Sequence, residues 1–382
     1  MQELGVGIIG CGNISTAYLK LAPLFRGITV RAVADMLPEA AKARAEEYGV
    51  RAETVEGLLA AEDIDIVVNL TIPDAHYKVT LAILEAGKHA YSEKPLVLSL
   101  DEGKHLRSVA DKRGLRIGSA PDTFLGGAHQ QARAVIDEGR VGRIVSGTCH
   151  VMSHGMEHWH PNPFFFFQPG AGPVLDIGPY YVTNLIQLIG PVKRVVALAG
   201  AATPTRTVTS EPRRGEVIEV ATPTNIHALL DFENGAAVTL SASWDVWAHR
   251  HGNMELYGTE GSLILPDPNF FGGTIEISGQ GPEFAPLEPW SHPLGVPNQD
   301  HRQGPMANYR TAGLADMAQA IGEGREHRCS MDLALHAVDV MTGILRSGET
   351  GGFVEMTTTC ARPEALGPEA ARALLAEAPV AA

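Results

Sequence analysis

The stretch from Gly5 to Ile14, taken with Asp35, constrains this chain more than any other. Val6, Ile8 and Ile9 form a short apolar run, Gly10-Cys11-Gly12-Asn13-Ile14-Ser15 follows at once, and Ala17 to Leu24 carries a helical pattern. Strand, glycine turn and helix in immediate succession are the layout of a dinucleotide site. Gly10 permits the tight turn, Gly12 leaves room for a pyrophosphate, and the helix N-terminus offers free N–H groups with a partial positive charge. A second apolar run, Ile28 to Ala34, ends in Asp35. An acid there hydrogen-bonds a ribose 2′-hydroxyl and repels a 2′-phosphate, so the expected cofactor is NAD(H) in preference to NADP(H). Ser15 stands where a third glycine is usual and is small enough for close helix–strand packing. The bland alternative is a glycine-rich turn that only packs a helix on a sheet.

A length of 382 residues suits two domains and a large core without staples. Hydrophobic residues at 45% and charged residues at 19% are ordinary for a soluble globular protein. The net charge of −14, with no basic stripe, argues against nucleic acid and anionic membrane surfaces as main partners. An anionic dinucleotide must then be held by local backbone dipoles. Four cysteines, Cys11, Cys149, Cys329 and Cys360, are scattered without paired spacing, which points to neither a disulfide framework nor a zinc site. Cys11 is expected to be a small buried filler. Met1 leads straight into the first strand with no signal peptide ahead of it, and no apolar run is long enough for a bilayer, so a cytoplasmic location is expected.

The first third alternates strand and helix. Helices are expected over 38–48, from Pro73-Asp74 to Gly87 and from Ser99 onward, with strands at 64–70, 89–92 and 115–118. Repeated β–α–β order implies a doubly wound parallel sheet. We expect an NAD-binding Rossmann domain over 1–122, with Ala120-Pro121-Asp122 at its boundary, and a substrate-binding and oligomerisation α/β domain over 123–356. Helices at 126–138 and 174–188 and strands at 143–152, 192–198, 225–232, 236–242, 253–257 and 262–265 suggest an open, mainly antiparallel or mixed sheet, closed by helices at 306–321 and 331–345. The Ala/Pro-rich stretch 357–382 reads as a weakly docked tail.

Glu93-Lys94-Pro95 follows the strand ending at Ser92, at the carboxyl edge where such sheets bind ligands. A lysine there holds a substrate oxygen and stabilises an alkoxide as hydride leaves the carbon; the alternative is a surface salt bridge made by Glu93. Asp176 and Tyr180 lie one helical turn apart and, beside Lys94, would bracket a carbinol whose proton either takes. Alternatively, Asp176 caps a helix restarting at Pro179 and Tyr180 packs in the core.

Four segments occur in order: Gly10-Cys11-Gly12-Asn13-Ile14, Asn69-Leu70-Thr71-Ile72-Pro73-Asp74-Ala75-His76-Tyr77, Glu93-Lys94-Pro95 and Gly170-Ala171-Gly172-Pro173-Val174-Leu175-Asp176-Ile177-Gly178. Together they resemble the Gfo/Idh/MocA family of glucose–fructose oxidoreductases, inositol dehydrogenases and rhizopine-catabolism proteins, over nearly the whole chain to about residue 350. The resemblance implies a Rossmann domain, a C-terminal open-sheet domain, and NAD(P)-dependent oxidation or reduction of sugars, inositols and related polyols. It maps the family's lysine onto Lys94 and its aspartate onto Asp176. The usual catalytic histidine is Tyr180 here and a frequent further acid is Thr183. Tyrosine, with a reference pKa near ~10, is a poorer base at pH 7 than histidine unless a cation such as Lys94 lies beside it. The segment from Thr71 through Ile72 and Pro73 to His76 resembles the one passing the nicotinamide ribose, although His76 has the alternative of capping or packing in its helix.

The loop 153–168 is the expected specificity element: His154, His158, Trp159, His160 and Asn162 offer polar groups and a flat apolar face suited to a sugar ring. Phe164 to Phe167 read as wedge or interface packing in preference to ligand contacts. The histidines raise metal binding, but no accompanying carboxylate supports it, and no metal is expected. His301, Arg302, Tyr309 and Arg310 are candidates to complete the pocket, an arginine suiting a carboxylate or acidic sugar. The leading expectation is an NAD-dependent dehydrogenase acting on a secondary alcohol of a sugar, glycoside or cyclitol. The alternatives are a glycosidase that oxidises its sugar transiently with bound NAD and a dinucleotide-binding sensor without catalysis. An open sheet favours a homo-dimer or homo-tetramer.

Overall fold

The computed structural model describes residues 3–301 and 304–377. Arg302, one of the pocket candidates, lies outside them. The apolar runs of the first third assemble as strands β1 (Leu4–Ile9), β2 (Ile28–Ala34), β3 (Arg51–Glu53), β4 (Ile66–Asn69), β5 (His89–Ser92) and β6 (Ile117–Ser119). They form one parallel sheet in the order β3-β2-β1-β4-β5-β6. Every residue of β1 and β4 is buried, as expected for strands covered by helices on both faces. The helices are α1 (Ser15–Leu21), α2 (Pro38–Tyr48), α3 (Val55–Ala60), α4 (Pro73–Glu85) and α5 (Leu100–Arg113). The strand order reverses between β1 and β4. The turns after β1, β4 and β5 all open on the same carboxyl edge, which is where such a sheet leaves a crevice.

After α6 (Gly127–Asp137), strand β7 (Ile144–Met152) begins a second sheet. Helices α7 (Gly172–Asp176) and α8 (Gly178–Ile189) lead to β8 (Val192–Gly200), the small hairpin β9 (Thr205–Thr207) and β10 (Val217–Glu219), and then β11 (Asn225–Phe232), β12 (Ala237–Ser243), β13 (Met254–Gly258), β14 (Ser262–Leu265), β15 (Glu276–Ser278) and β16 (Ala285–Pro286). Helices α9 (Ala312–Glu323) and α10 (Met331–Thr350), strand β17 (Val354–Glu355) and α11 (Pro368–Leu374) complete the chain. The nine-stranded sheet runs β16-β15-β14-β13-β7-β12-β11-β8-β17 and is mixed: β7 and β12 are parallel, the other pairs antiparallel. One face packs on α8 and α10; the other leaves Leu198 and Leu229 exposed.

Three expectations need correction. The helix expected over 174–188 is broken at Ile177 into α7 and α8, because Pro179 has no N–H to continue the first helix and opens the second. The helix expected from Met306 begins only at Ala312: Met306 pairs with Gln299 in a bridge, and Thr311 takes φ +105°, outside any right-handed helix. The tail is not weakly docked. Leu366, Ala371, Leu374 and Leu375 are buried, and the chain returns to the first domain, where the Arg26 amide donates to Leu374 O at 2.8 Å and the Ala376 amide to Leu24 O at 2.8 Å.

Candidate active site

Gly10 leaves β1 at φ +104°, and a Cβ there would stand 2.6 Å from the Leu70 carbonyl group, so the close approach of β1 and β4 requires glycine. At Gly12 a Cβ would meet no atom within 4 Å, so the space over the turn is open. The amides of Gly12, Asn13 and Ile14 donate to no acceptor among the described residues, and α1 has no side-chain cap. This open cradle of free donors at a helix N-terminus fits a dinucleotide pyrophosphate. Asp35 Oδ2 accepts the Cys11 amide at 2.7 Å and Oδ1 the Leu37 amide at 2.9 Å. The carboxylate assigned to the ribose therefore also splints the turn, and each oxygen keeps a lone pair for a hydroxyl. Burial, with Asp35 close by, pushes the Cys11 thiol up to about 11, in keeping with the filler expected there.

The turn after β4 follows the packing alternative at His76. Asn69 Oδ1 accepts from the Thr71 amide (3.2 Å) and hydroxyl (2.7 Å), fixing the turn from beneath. His76 is 1% exposed, with Nδ1 at 2.7 Å from Pro95 O and Nε2 at 3.0 Å from Thr71 O. Burial holds its pKa below the ordinary imidazole value. With both ring nitrogens against carbonyl groups, His76 is packed as its alternative reading has it and ties the turn after β4 to the segment after β5. Ile72 and Pro73 do reach the surface of a 390 Å³ recess shared with Lys94, Asp176 and Asn162.

Glu93 makes no ion pair among the described residues, contrary to the surface-bridge alternative. Its Oε1 accepts the hydroxyl of buried Tyr18 from α1 at 3.0 Å and its Oε2 the Lys94 amide at 3.0 Å. The Lys94–Pro95 peptide is cis. Lys94 Nζ crosses to the second domain, donating to Asp176 O at 2.5 Å and Asp176 Oδ1 at 3.0 Å. Nζ also lies 5.3 Å from the centroid of the Tyr180 ring. Burial disfavours the ammonium, but Asp176, Tyr180 and Glu93 outweigh it and hold the lysine pKa above its ordinary value. Asp176 is no helix cap: the N-cap of α8 is Ile177, and no side chain bonds to that helix end. Thr183, where the resemblance leads to an acid, is buried.

Lys94, Asp176 and Tyr180 line one wall of an 850 Å³ cleft reached on its other side by Asn13, Ile14 and Lys20. Trp159, 56% exposed, Met156 and Phe166 close it from the loop, Asn269 from the connection between β14 and β15, and Gln299, His301, Asn308 and Arg310 from the segment before α9. Lys20, Asn269, Gln299 and Asn308 escaped the sequence reading. Only Lys20 had a local trace, since it follows Asn13 and Thr16 along one face of α1. Tyr309 does not reach the cleft: it is buried, and its hydroxyl donates to Val296 O at 2.9 Å. Arg310 is aimed there by its neighbours. Asp122 Oδ2 accepts the Thr311 and Gly313 amides, each at 3.0 Å, and so pins the left-handed residue at the start of α9. Burial pushes the Asp122 carboxyl up to about 6.

The loop 153–168 is held by a small second core of Met156, Phe166, Phe167, Val208, Ile218 and Trp244. Within it Arg206, from β9, donates to Glu157 Oε1 at 2.8 Å and to Asp245 Oδ1. Phe167 packs there as the wedge reading expects, while Phe166 both packs and lines the cleft. Asn162 opens on the recess, its Oδ1 accepting from Arg213 Nη1 at 2.8 Å. His154 lines neither space: its ring stacks on Trp247 at 3.3 Å between centroids. Among the described residues no group of three or more His, Cys, Asp or Glu side chains is arranged to hold a metal ion, and no helix is long and apolar enough to cross a membrane.

Residues 4–120 match the model of an oxidoreductase family with an NAD-binding Rossmann fold, and residues 129–264 that of the GFO/IDH/MocA C-terminal domain. The chain is 29% identical over 296 residues to levoglucosan dehydrogenase of Pseudarthrobacter phenanthrenivorans, covering 69% of this chain and 74% of that protein. It is 30% identical over 138 residues to inositol 2-dehydrogenase of Rhizobium meliloti, covering 36% and 42% of the two chains. A levoglucosan dehydrogenase solved in complex with NADH and L-sorbose shares the fold, with a TM-score of 0.79 over 93% of this chain and 99% of that one at 22% identity.

Proposed function

Because the chain belongs to the GFO/IDH/MocA family of NAD-binding oxidoreductases, we propose that it oxidises or reduces a secondary alcohol of a sugar, glycoside or cyclitol, with NAD(H) preferred over NADP(H). The observation that carries the reading is the ammonium of Lys94, fixed on Asp176 at 3.0 Å and facing the cleft shared by the glycine turn and Tyr180. The substrate class is supported by the names of the relatives, levoglucosan and inositol dehydrogenases, and by a cleft that offers amide and hydroxyl groups beside the exposed Trp159 face. The cofactor preference is supported by Asp35 at the end of β2, which would accept a ribose hydroxyl and repel a 2′-phosphate.

Gly10, Gly12, Asn13, Ile14 and Asp35 would hold the dinucleotide, with Thr71, Ile72, Pro73 and Glu93 shaping the edge where its nicotinamide half lies. When bound, the dinucleotide supplies the hydride acceptor or donor. In the oxidative direction Lys94 holds the reacting oxygen by a charge-assisted hydrogen bond and stabilises the negative charge that develops as the carbon gives up hydride. Asp176 fixes Lys94, leaving one ammonium proton for the substrate. Tyr180 receives the hydroxyl proton and passes it toward the open cleft. Trp159 in the cleft and Asn162 in the adjoining recess would contact the ring. Copies of the chain are proposed to pair through the outer face of the nine-stranded sheet, where Leu198 and Leu229 are exposed; light scattering of the eluted protein reads the assembly. The central test is a panel of polyols, sugars and glycosides with NAD and NADP in parallel, followed at 340 nm with product analysis. Net NADH formation on at least one polyol supports the reading; sugar cleavage without it would move the protein to a transient-oxidation glycosidase.

A further inference from the structure

We propose that Arg310 is an anion-recognition residue of this cleft, and that the substrate is a carboxylated sugar such as an aldonate or uronate. The proposal rests on the oxidoreductase reading above and names its substrate class. Its starting point is charge. Lys20, Lys94 and Arg310 line the cleft against a single acid, Asp176, in a chain whose net charge is −14. That acid is already bonded to Lys94.

Among the described residues Arg310 has only neutral partners within bonding distance. Its Nη2 donates to Asn269 O at 3.1 Å and Oδ1 at 2.9 Å, and its Nη1 to Asn308 Oδ1 at 3.3 Å. Among the described residues no carboxylate comes within 4.0 Å of it. Asp122 and Glu93 are near enough to favour its charge. Neither is bonded to it: Asp122 Oδ2 accepts two amides, and the oxygens of Glu93 accept the Tyr18 hydroxyl and the Lys94 amide. Other arginines of the fold meet a carboxylate directly: Arg133 meets Asp137, Arg206 meets Glu157 and Asp245, and Arg328 meets Asp316. Arg310 is half-buried at the cleft and bonded to no carboxylate, so its guanidinium is available to one carried by a ligand.

The placement is also built in. Thr311, buried with φ +105°, is a backbone conformation that side chains rarely adopt, and it persists because Asp122 grips the amides on either side of Ala312. The effect is to start α9 late and leave Arg310 facing the cleft. Three amide oxygens, two of Asn269 and one of Asn308, fix the guanidinium plane and occupy both Nη2 protons and one of Nη1, leaving the other Nη1 proton for a carboxylate. Tyr180 is a further hydrogen-bonding neighbour of Arg310, which sets the anion site beside the proposed reacting carbon. A dinucleotide pyrophosphate is the other source of the same anionic chemistry, but the free amides of the glycine turn already provide for it.

The test compares NAD reduction by matched pairs, D-glucose with D-glucuronate and D-galactose with D-galacturonate, and by D-gluconate, in the native protein and in Arg310→Gln and Arg310→Lys. NADH affinity is measured in each by fluorescence. The expected result is a kcat/KM at least about tenfold higher on the acids, with that ratio falling about tenfold or more in Arg310→Gln, chiefly through KM. Arg310→Lys, which keeps the charge, should fall between. NADH affinity within about twofold throughout separates the effect from misfolding and from a pyrophosphate clamp. Turnover of neutral sugars with no acid preference overturns this inference and leaves the proposed function standing, as does a ratio that Arg310→Gln does not move. Loss of NADH affinity in place of the ratio reassigns Arg310 to the dinucleotide. No NAD reduction by any member of this panel or of the wider polyol panel overturns both.

Discussion

Two ionic clusters in this molecule have the same ingredients and opposite consequences. Lys94 with Asp176 joins the two domains, with side chains 16% and 20% exposed. Arg206 with Glu157 and Asp245 joins the loop 153–168 to the hairpin of β9 and β10, with all three side chains at 10% or less. The difference lies in what remains unbonded. Lys94 uses two of its three ammonium protons on Asp176, and the third faces an open cleft. The Arg206 guanidinium is enclosed by two carboxylates, the carbonyls of His154 and Trp244, and the ring of Phe167. An ion pair serves chemistry when one donor stays accessible; fully enclosed, it serves position. Arg206 therefore holds the loop that brings Trp159 to the cleft.

That contrast can be broken by mutation. Arg206→Met leaves two buried carboxylates without their cation and should destabilise the protein by about 3–5 kcal/mol in urea unfolding; a loss below about 1 kcal/mol would mean that the cluster is no splint. Lys94→Ala should show the reverse profile, a drop of about 10²–10³-fold in kcat with NADH binding kept and little change in unfolding midpoint. Full turnover in that variant removes the role assigned to it. Asp176→Asn keeps the shape but not the charge, and should lower kcat by about 10–10²-fold. Equal losses of stability in Asp176→Asn and Arg206→Met would erase the distinction between the clusters.

Asp122 sharpens the comparison as a buried carboxylate without a cation. Its folded-state pKa, about 6, lies above the ordinary carboxylate value of 3.8. The folded state thus binds the proton more tightly, and the stability this provides is present below about pH 4 and lost as pH rises through about 6. Asp122→Asn, which can still accept from Thr311 and Gly313, should flatten that part of the stability–pH curve and add on the order of 1–3 kcal/mol at pH 7. An unchanged curve would contradict the burial argument. The smallest effect is expected for Trp159→Ala, a rise in KM of about 3–10-fold with kcat nearly constant.

The first domain was legible because its signals are contiguous. Glycine turn, apolar strand and terminal acid lie within one βαβ unit, and the bonds that make them a site, such as Asp35 to the Cys11 amide, span only 24 residues. Lys94 was legible for its position after β5. Polar residues read as ligand candidates turned to packing where burial, invisible in a single side chain, decided the outcome. His76 is enclosed between two carbonyls, Tyr309 binds Val296, and His154 stacks on Trp247. Arg206 carried no trace because its partners are 49 and 39 residues away. The late start of α9 depends on a contact between Asp122 and Thr311 across 189 residues, which periodicity cannot report.

The return of the C-terminal segment to the first domain has a mechanical consequence. The backbone passes between the lobes at residues 120–126, and it passes back where Arg26 and Ala376 bond across to the other strand of chain. Between these two crossings β6 is stitched to the second lobe as well, Gly118 bridging Ser330 and the Ser119 amide donating to Cys329 O at 3.1 Å. A protease nick at either crossing should therefore leave the halves associated under native conditions.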